Sequence, residues 1–313
     1  MTAADLLRSH LNERDRAALG AVLGERARFD EPLAPHTSWR IGGPADALLD
    51  LQTSDELAEV LRLTFKRSLP WIVLGSGSNL LIGDGGIRGI VLRLGGAFAR
   101  VTFEESDDGV VVRAGASASL ALLTAQAASR GAVGIGSLAG IPGSVGGALR
   151  MNAGTDREFG DFVREVWVQT PRRAEPHAVS PQYFYRHTTL ARDAIVARVT
   201  LAFERGDPRA VRREMQGRLV RRKETQPLAW PNAGSCFRNP PGDKAGRLIE
   251  AAGAKGWRLG GAEVSPVHAN FIVNRDNASA ADVAGLLPKV RRAVAERLGV
   301  ELELEVHLIG VFV

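Results

Sequence analysis

The amino-acid sequence predicts an α+β protein with about two domains. The chain has 313 residues, of which 45% are hydrophobic, so it can form cores of ordinary size. Hydrophobic residues follow a helical period in some segments and a strand period in others, which indicates both types of element. The glycine-rich loop that starts at Gly75 lacks a Gly-Lys-Ser/Thr sequence and has Leu80 where the dinucleotide fingerprint needs a third glycine. These two features argue against a P-loop NTPase and a Rossmann dehydrogenase.

Charge and composition restrict the ligands and the compartment. The 40 Lys and Arg against 35 Asp and Glu give a net charge of +5, which suits anionic ligands, but the two signs interleave, which argues against nucleic acid. A single cysteine, Cys236, excludes an internal disulfide and fits a reducing compartment. The sequence shows no signal peptide and no bilayer-spanning run, so we expect a cytoplasmic protein without a membrane partner. The histidines lack ligand-type spacing, so we expect no metal site.

Two helices are predicted near the N-terminus. The first covers about the first 25 residues. Its apolar side consists of Leu6, Leu7, Leu11, Ala18 and Val22. The second runs from Ser54 to Ser68, and Thr53 with Glu56 forms a capping box at its start. Its core-facing residues are Leu57, Val60, Leu61 and Phe65.

The middle of the chain alternates strands with two glycine-rich loops. Strands at 71–74 and 90–94 flank the first loop, which contains Ser78 and Asn79. A hairpin of residues 100–105 and 110–114 follows, and then a helix at 118–130. The second loop, residues 138–154, combines Pro142 with several glycines, so its backbone N–H groups can surround an anion such as a diphosphate. A glycine-rich turn between packed elements would have the same composition.

The C-terminal half is predicted to contain a second domain that begins near Gly206. Strands at 165–170 and 194–203 precede this boundary, and an aromatic loop separates them. Asp207 and Pro208 start a helix that extends to about Glu224. Helices at 243–252 and 279–298, a strand at 270–273 and a last alternating strand at 301–310 complete the domain.

Several motifs occur in an order that resembles one family. The chain contains HTSWRIGGPAD at 36–46, YRHTTL at 185–190, PNAGSCFRNP at 231–240, GWRLGGAEVSPVHANFIVN at 256–274 and LEVHLIG at 304–310. Together with the glycine loops they resemble the UDP-N-acetylmuramate dehydrogenases, also called UDP-N-acetylenolpyruvoylglucosamine reductases or the MurB family. The short segment between Tyr185 and Ser235 resembles the second subtype, which lacks an extra substrate loop.

The resemblance implies a domain division and a reaction. It implies an FAD-binding domain of vanillyl-alcohol-oxidase type with lobes at 1–68 and 69–206, and an α+β substrate-binding domain at 207–313. The implied reaction reduces UDP-N-acetylglucosamine enolpyruvate to UDP-N-acetylmuramate, with NADPH as reductant, for peptidoglycan precursors. The oligomeric state does not follow from it. The family pattern places the FAD diphosphate between two sets of residues: Gly75, Ser76, Gly77, Ser78 and Asn79, and Gly140, Ile141, Pro142, Gly143 and Ser144.

The reaction requires a cation, a hydrogen-bonding group and a proton donor, because negative charge builds beside the substrate carboxylate as hydride arrives. By motif match, these are Arg186, Glu305 and Ser235. The same match gives Tyr185, Lys223 and Asn239 as substrate-binding residues. The roles of Arg150 and Asn152 stay open, as do those of Cys236, which could be a buried hydrophobe, and of His307, which replaces a common arginine.

The residues alone leave other interpretations open. Arg186 could stack on Tyr183 or Tyr185 at the surface. Ser235 could belong to an ordinary turn, Glu305 to the solvated face of a strand, and Lys223 to a favourable helix end. An oxygen-using FAD oxidase or a nucleotide-sugar binding protein would also explain the two loops.

Overall fold

The structure is a computed structural model that describes residues 11–313. The first predicted helix appears there as Glu13–Leu23, and Asn12 caps its start by accepting a hydrogen bond from the Asp15 backbone. Leu6 and Leu7 lie outside the described residues. No helix within residues 11–313 is long and apolar enough to cross a bilayer.

Helices and strands alternate along the described chain. The α-helices are α1 Glu13–Leu23, α2 Ser54–Lys66, α3 Leu120–Ser129, α4 Val145–Arg150, α5 Pro208–Thr225, α6 Ala245–Ala251 and α7 Ala280–Leu298. The strands are β1 Ala27–Pro32, β2 Pro44–Leu51, β3 Trp71–Val73, β4 Leu80–Ile82, β5 Ile87–Leu94, β6 Val101–Glu105, β7 Gly109–Gly115, β8 Val163–Thr170, β9 Arg173–Val179, β10 Tyr183–Phe184, β11 His187–Thr188, β12 Ile195–Glu204, β13 Arg258–Leu259, β14 Ala262–Val264, β15 Ile272–Asn274 and β16 His307–Ile309.

The first sheet has four strands in the order β1-β2-β5-β3. β1 pairs antiparallel with β2, whereas β2 and β3 both pair parallel with β5. Helix α2 packs its buried residues Leu57, Val60 and Leu61 into the core of this sheet. Strands β3 and β5 follow residue 68, where the sequence predicted the junction of two lobes, so this sheet extends across that position.

One prediction for α2 is wrong. Phe65 does not face the core but is 61% exposed, and it borders a large cleft together with Thr64 and Arg67. The last turn of α2 faces this cleft rather than the sheet, and helical periodicity alone cannot separate those two environments. The predicted N-cap is present, since Thr53 accepts from the Glu56 backbone, but the Glu56 carboxylate bonds Arg26 and the Gln52 N–H instead of closing a capping box.

The second sheet is antiparallel, with five strands in the order β6-β7-β12-β8-β9. The predicted hairpin is its β6–β7 edge, in which Val101 pairs with Ala114 and Glu105 with Val110. Helix α3, capped by Ser119, buries Leu120 and Leu123 in the core below the sheet. The second glycine loop and α4 follow α3 and pack on the same core through Val145 and Leu149.

The C-terminal region forms a third core around α6, α7 and the small β13-β14-β15 sheet. Helix α5 leads into it and starts as predicted: Asp207 accepts from the backbone N–H groups of Arg209 and Ala210, and Pro208 occupies the first turn. Trp39 and Leu81 from the first part of the chain belong to this third core. The indole N–H of Trp39 donates to the Ile272 carbonyl at 2.8 Å, which fixes the C-terminal region against the first sheet.

The predicted last strand is mostly wrong. Only His307–Ile309 forms a strand, and it pairs parallel with β4. The segment before it crosses residues 236–238 instead, where the Glu305 N–H donates to Cys236 O and the Arg238 N–H donates to Glu303 O, both at 2.8 Å. Leu302 and Val306 are buried and Glu301 and Glu303 are exposed, as the alternation indicates. Leu304 departs from it by being partly exposed, and Glu305 turns towards the cleft, as its motif-matched role requires.

Candidate active site

A cleft of about 2270 Å³ lies where the three cores meet. It is larger than the few hundred to about 1000 Å³ that suits one small ligand. Both glycine loops line it, and so do Arg186, Ser235 and Glu305. Residues that are far apart in sequence are thus brought to one site with room for two large ligands.

The first glycine loop, residues 75–79, connects β3 to β4 in a conformation that requires glycine. Gly77 has φ of +60°, and a Cβ atom there would lie 2.5 Å from the His36 carbonyl oxygen. The Ser38 N–H donates to Gly77 O at 3.3 Å, so the segment 36–38 supports the loop from behind. Within residues 11–313, no acceptor takes a hydrogen bond from the backbone N–H of any residue in the loop. A row of such N–H groups at a cleft is suited to a diphosphate.

Residues 140–144 of the second glycine loop face the first loop directly. Ser78 Oγ donates to the Pro142 carbonyl at 3.1 Å, and a Cβ atom on Gly75 would lie 2.9 Å from Ser144 Oγ. Side chains larger than these would close the space between the loops. The facing loops therefore fit a cofactor with a diphosphate, such as FAD, held by backbone donors and small side chains.

Gly140 differs from the other members of that predicted set. It is not among the residues that line the cleft, and its φ is +72°. A Cβ atom at this position would lie 2.8 Å from Cδ of Arg222. Gly140 thus lets α5 approach the loop, which is a packing role.

Ser235 is held at the cleft by the backbone on both sides of it. The Cys236 N–H donates to the Asn270 carbonyl at 2.8 Å, and the Cys236 carbonyl accepts from the Glu305 N–H. The buried Asn270 side chain also bonds the N–H and carbonyl of Phe237, at 2.9 and 2.8 Å. These bonds bring the Ser235 turn next to the Glu305 segment. Cys236 is buried, and burial raises the pKa of its thiol to about 12, so it is a small hydrophobe at pH 7.

Arg186 is the cationic centre of the site. Its Nε donates to Glu305 Oε1 at 2.9 Å, and Nη1 lies 3.3 Å from Glu158 Oε1. Its guanidinium also lies 4.7 Å from the centre of the exposed Tyr185 ring, so the stacking that the sequence left open is present. The side chain of Arg186 is 17% exposed and that of Glu305 is 16% exposed.

The surroundings of Glu305 act on the ionisation of its carboxyl group in two opposite directions. Burial raises the pKa of this carboxyl, whereas the charges of Arg186 and Arg238 oppose the rise. The backbone carbonyl of Glu305 accepts from Asn79 Nδ2 at 3.1 Å, and the His307 N–H donates to the Asn79 carbonyl. The first glycine loop is thereby tied to the carboxyl-bearing segment. Burial lowers the pKa of His307, which favours a neutral imidazole at pH 7.

The three predicted substrate-binding residues do not line the cleft. Tyr185 and Lys223 are exposed, and Asn239 Oδ1 accepts from the Ala245 N–H at the start of α6. Cationic side chains that sequence reasoning missed line it instead: Arg222 and Arg238. The signal for Arg222 was present in the run Arg221-Arg222-Lys223, but the orientation of a helix is needed to choose among neighbours.

Arg150 and Asn152 support the backbone around the site. Arg150 donates to the carbonyls of Leu190, Ala191 and Ala194, and burial lowers its pKa. Asn152 is 2% exposed and bonds Glu158, the Phe184 carbonyl and the Gly160 N–H. Its side chain therefore fixes the loop that carries Arg186.

Comparisons with known proteins agree with this geometry. Residues 45–172 match the model of an FAD binding domain, and residues 226–309 match that of the C-terminal domain of UDP-N-acetylenolpyruvoylglucosamine reductase. A protein named UDP-N-acetylenolpyruvoylglucosamine reductase from Moorella thermoacetica is 46% identical over 90% of this chain and 92% of its own length. A second, UDP-N-acetylenolpyruvoylglucosamine reductase 2 from Symbiobacterium thermophilum, is 48% identical over 91% of this chain and 92% of its own.

A solved structure extends the agreement to the fold. The UDP-N-acetylenolpyruvylglucosamine reductase (MurB) of Thermus caldophilus is 36% identical and superposes with a TM-score of 0.76 over 90% of this chain and 98% of that one. The predicted α+β fold with an FAD-binding domain is therefore confirmed. By sequence and by structure, the chain belongs to the UDP-N-acetylenolpyruvoylglucosamine reductase family.

Proposed function

We propose that the protein is an FAD-dependent oxidoreductase that reduces UDP-N-acetylglucosamine enolpyruvate to UDP-N-acetylmuramate for peptidoglycan precursors, with NADPH as reductant. Its similarity to reductases of that name over 90% of the chain supports the reaction. The observation that carries the proposal is the meeting of Arg186, Glu305 and Ser235 at one cleft with both glycine loops.

The cofactor part of the proposal rests on the two facing loops. Bound FAD would supply the hydride-transfer chemistry. Its diphosphate would lie between residues 75–79 and residues 141–144, which offer backbone N–H groups and small side chains. Gly140 supports the second loop through its close contact with Arg222.

Three side chains would manage charge and protons on the substrate. Arg186 would pair with the substrate carboxylate, since its guanidinium borders the cleft and is held by acceptors on three sides. Glu305, in its protonated form, would donate a hydrogen bond to the same enolate-like group. Ser235 would deliver the proton to carbon, a step that demands close geometry because an unperturbed hydroxyl is a weak acid.

The anionic nucleotide part of the substrate needs further cations. We propose that it lies near Arg222 and Arg238, which both line the cleft. Within residues 11–313, the Arg222 guanidinium has no hydrogen-bonding partner, and burial lowers its pKa, so an anion would stabilise its charge. Tyr185, Lys223 and Asn239 would then act only on parts of the substrate that extend beyond the cleft.

The domain organisation follows the three cores. We propose an FAD-binding part up to residue 206, in two lobes, and a substrate-binding part from residue 207. The extent of the first sheet supports a junction of the lobes between Leu94 and Val101. A cytoplasmic location stays a proposal that rests on composition.

The proposal is tested by the colour of the purified protein. It should be yellow, bleach with NADPH in the absence of oxygen, and regain colour when the enolpyruvyl substrate is added. A colourless protein that cannot be reconstituted with FAD would exclude any flavoenzyme. A protein that bleaches and recovers with oxygen but not with the enolpyruvyl substrate would favour an oxidase of the same fold.

A further inference from the structure

Arg186 is held by a polar network that supplies no reacting group in the proposed chemistry. Asn152 Nδ2 donates to Glu158 Oε2, and Arg186 Nη1 donates to Glu158 Oε1. Arg186 Nη2 donates to the Gly154 carbonyl at 2.9 Å. We call Asn152, Gly154 and Glu158 the Arg186 brace.

The brace is fixed in its own right. Every polar atom of the Asn152 amide is used: Nδ2 donates to Glu158 and to Phe184 O at 3.0 Å, and Oδ1 accepts from the Gly160 N–H at 2.8 Å. Glu158 stands at the start of a short 3₁₀ turn, and its N–H donates to the Asp161 carboxylate at 2.9 Å. These contacts therefore fix the position of the Glu158 carboxylate independently of Arg186.

Arg186 needs such support because its backbone is strained. Its φ is +55°, in the left-handed region that non-glycine residues rarely occupy. Strain of this kind persists where surrounding contacts outweigh its cost, and it concentrates at functional sites. The same residue points its guanidinium between two carboxylates, Glu158 on one side and Glu305 on the other.

We propose that Glu158 is a positioning residue that holds the Arg186 guanidinium at the substrate carboxylate. Glu158 and Glu305 then share the positive charge of Arg186, which we call the division of charge. The proposal rests on the proposed function for its catalytic consequence, but the division of charge is a property of the protein without substrate. Glu158 does not line the cleft, whereas Arg186 and Glu305 do. Glu158 therefore acts through Arg186.

The division of charge predicts in which direction the ionisation of Glu305 changes when the Glu158 charge is lost. Two carboxylates at one guanidinium repel each other, so the ionised form of each is less stable than it would be beside Arg186 alone. Loss of the Glu158 charge leaves Arg186 to Glu305, so the ionised form of Glu305 gains stability. The Arg238 charge also favours the ionised form of Glu305, and burial lowers the pKa of His307 beside it. Burial raises the pKa of Glu158, the Arg186 charge opposes that rise, and the Asp161 charge adds to it.

The proposed role of Glu305 determines how activity depends on pH. Glu305 must be protonated to donate a hydrogen bond, so activity is present below its pKa and is lost as pH rises through it. Replacing Glu158 by Gln removes the charge and keeps one oxygen that can accept from Arg186, while the acceptor for Asn152 Nδ2 is lost. The alkaline limb of the pH profile should then move to lower pH, by about one unit.

Two variants and a control separate position from charge. Glu158→Gln should shift the alkaline limb with a modest effect on KM. Glu158→Ala should also raise KM for the enolpyruvyl substrate by about 10-fold to 100-fold, because Arg186 loses its support. Asp161→Asn removes a neighbouring charge and keeps an acceptor for the Glu158 N–H, so its pH profile and KM should match the wild type. Bleaching by NADPH should be unchanged in all three.

A measurement without substrate distinguishes this inference from the proposed function. In protein labelled with ¹³C at the Glu carboxyl carbon, the Glu305 resonance is identified by its loss in Glu305→Gln, and its titration is followed by NMR. Glu158→Gln should lower the pKa of Glu305 relative to wild type. An unchanged Glu305 titration would overturn the division of charge whether or not the protein turns over. A KM in Glu158→Ala equal to that of Asp161→Asn would overturn the positioning role.

Discussion

Arg222 and Lys223 are neighbours in α5, yet only Arg222 lines the cleft. Successive helical residues point about 100° apart, so one can be half-buried while the next is exposed. The motif match favours Lys223 for the substrate, whereas burial and the free guanidinium favour Arg222. Single substitutions at the two positions can distinguish between the two assignments.

Arg222→Gln should raise KM for the UDP-sugar by about 30-fold, equivalent to about 2 kcal/mol, because a half-buried cation is removed from an anionic ligand. Lys223→Gln, its neighbour on the exposed side, should raise KM by less than about threefold, since exposed ion pairs contribute little. Steady-state kinetics with the FAD content of each variant measured in parallel would check this. The opposite order would return the contact to Lys223.

At the level of elements, the glycine loops depend on close contact between backbones. Gly77 and Gly299, the residue after α7, have similar φ angles of +60° and +68°, but differ in their surroundings. A Cβ atom on Gly77 would meet the His36 carbonyl at 2.5 Å, whereas at Gly299 nothing lies within 4 Å. Alanine substitutions at the two positions therefore separate the free-energy cost of a left-handed backbone from the cost of displacing the first glycine loop.

Gly299→Ala should therefore destabilise the protein by only about 1 kcal/mol and leave its FAD content unchanged. Gly77→Ala should carry that cost and also move the first glycine loop from the segment 36–38, so FAD content after purification should fall strongly. Denaturant unfolding and the flavin absorbance of matched preparations measure the two effects. Equal FAD content in both variants would show that the loop does not form the cofactor site.

The elements that sequence patterns predicted correctly are those with local signals. The Asp207-Pro208 start of α5 and the β6–β7 hairpin carry their own capping and turn chemistry, so they needed no tertiary information. Phe65 and the segment 301–306 were misassigned because their environment is set by distant parts of the chain: the cleft in one case and residues 236–238 in the other. Glu158 was missed for the same reason, since its partner Arg186 is distant in sequence.

In the whole molecule, the cleft exists because the first and last parts of the chain are packed together. Trp39 lies in the C-terminal core, and its carbonyl accepts from Asn274 Nδ2 at 3.0 Å while its indole bonds Ile272. The parallel pairing of β16 with β4 brings the Glu305 segment beside the first glycine loop. Proximity of cofactor loops and catalytic side chains is thus a result of the complete fold.

The proposed role of Ser235 is to give a proton to the substrate while reduced FAD supplies the hydride. Its direct test is the anaerobic reoxidation of NADPH-reduced protein by the enolpyruvyl substrate, followed by flavin absorbance in wild type and Ser235→Ala. NADPH should bleach both proteins at similar rates, and the colour should return rapidly in wild type but at least about 100-fold more slowly in Ser235→Ala. Equal rates of recovery in the two proteins would contradict it.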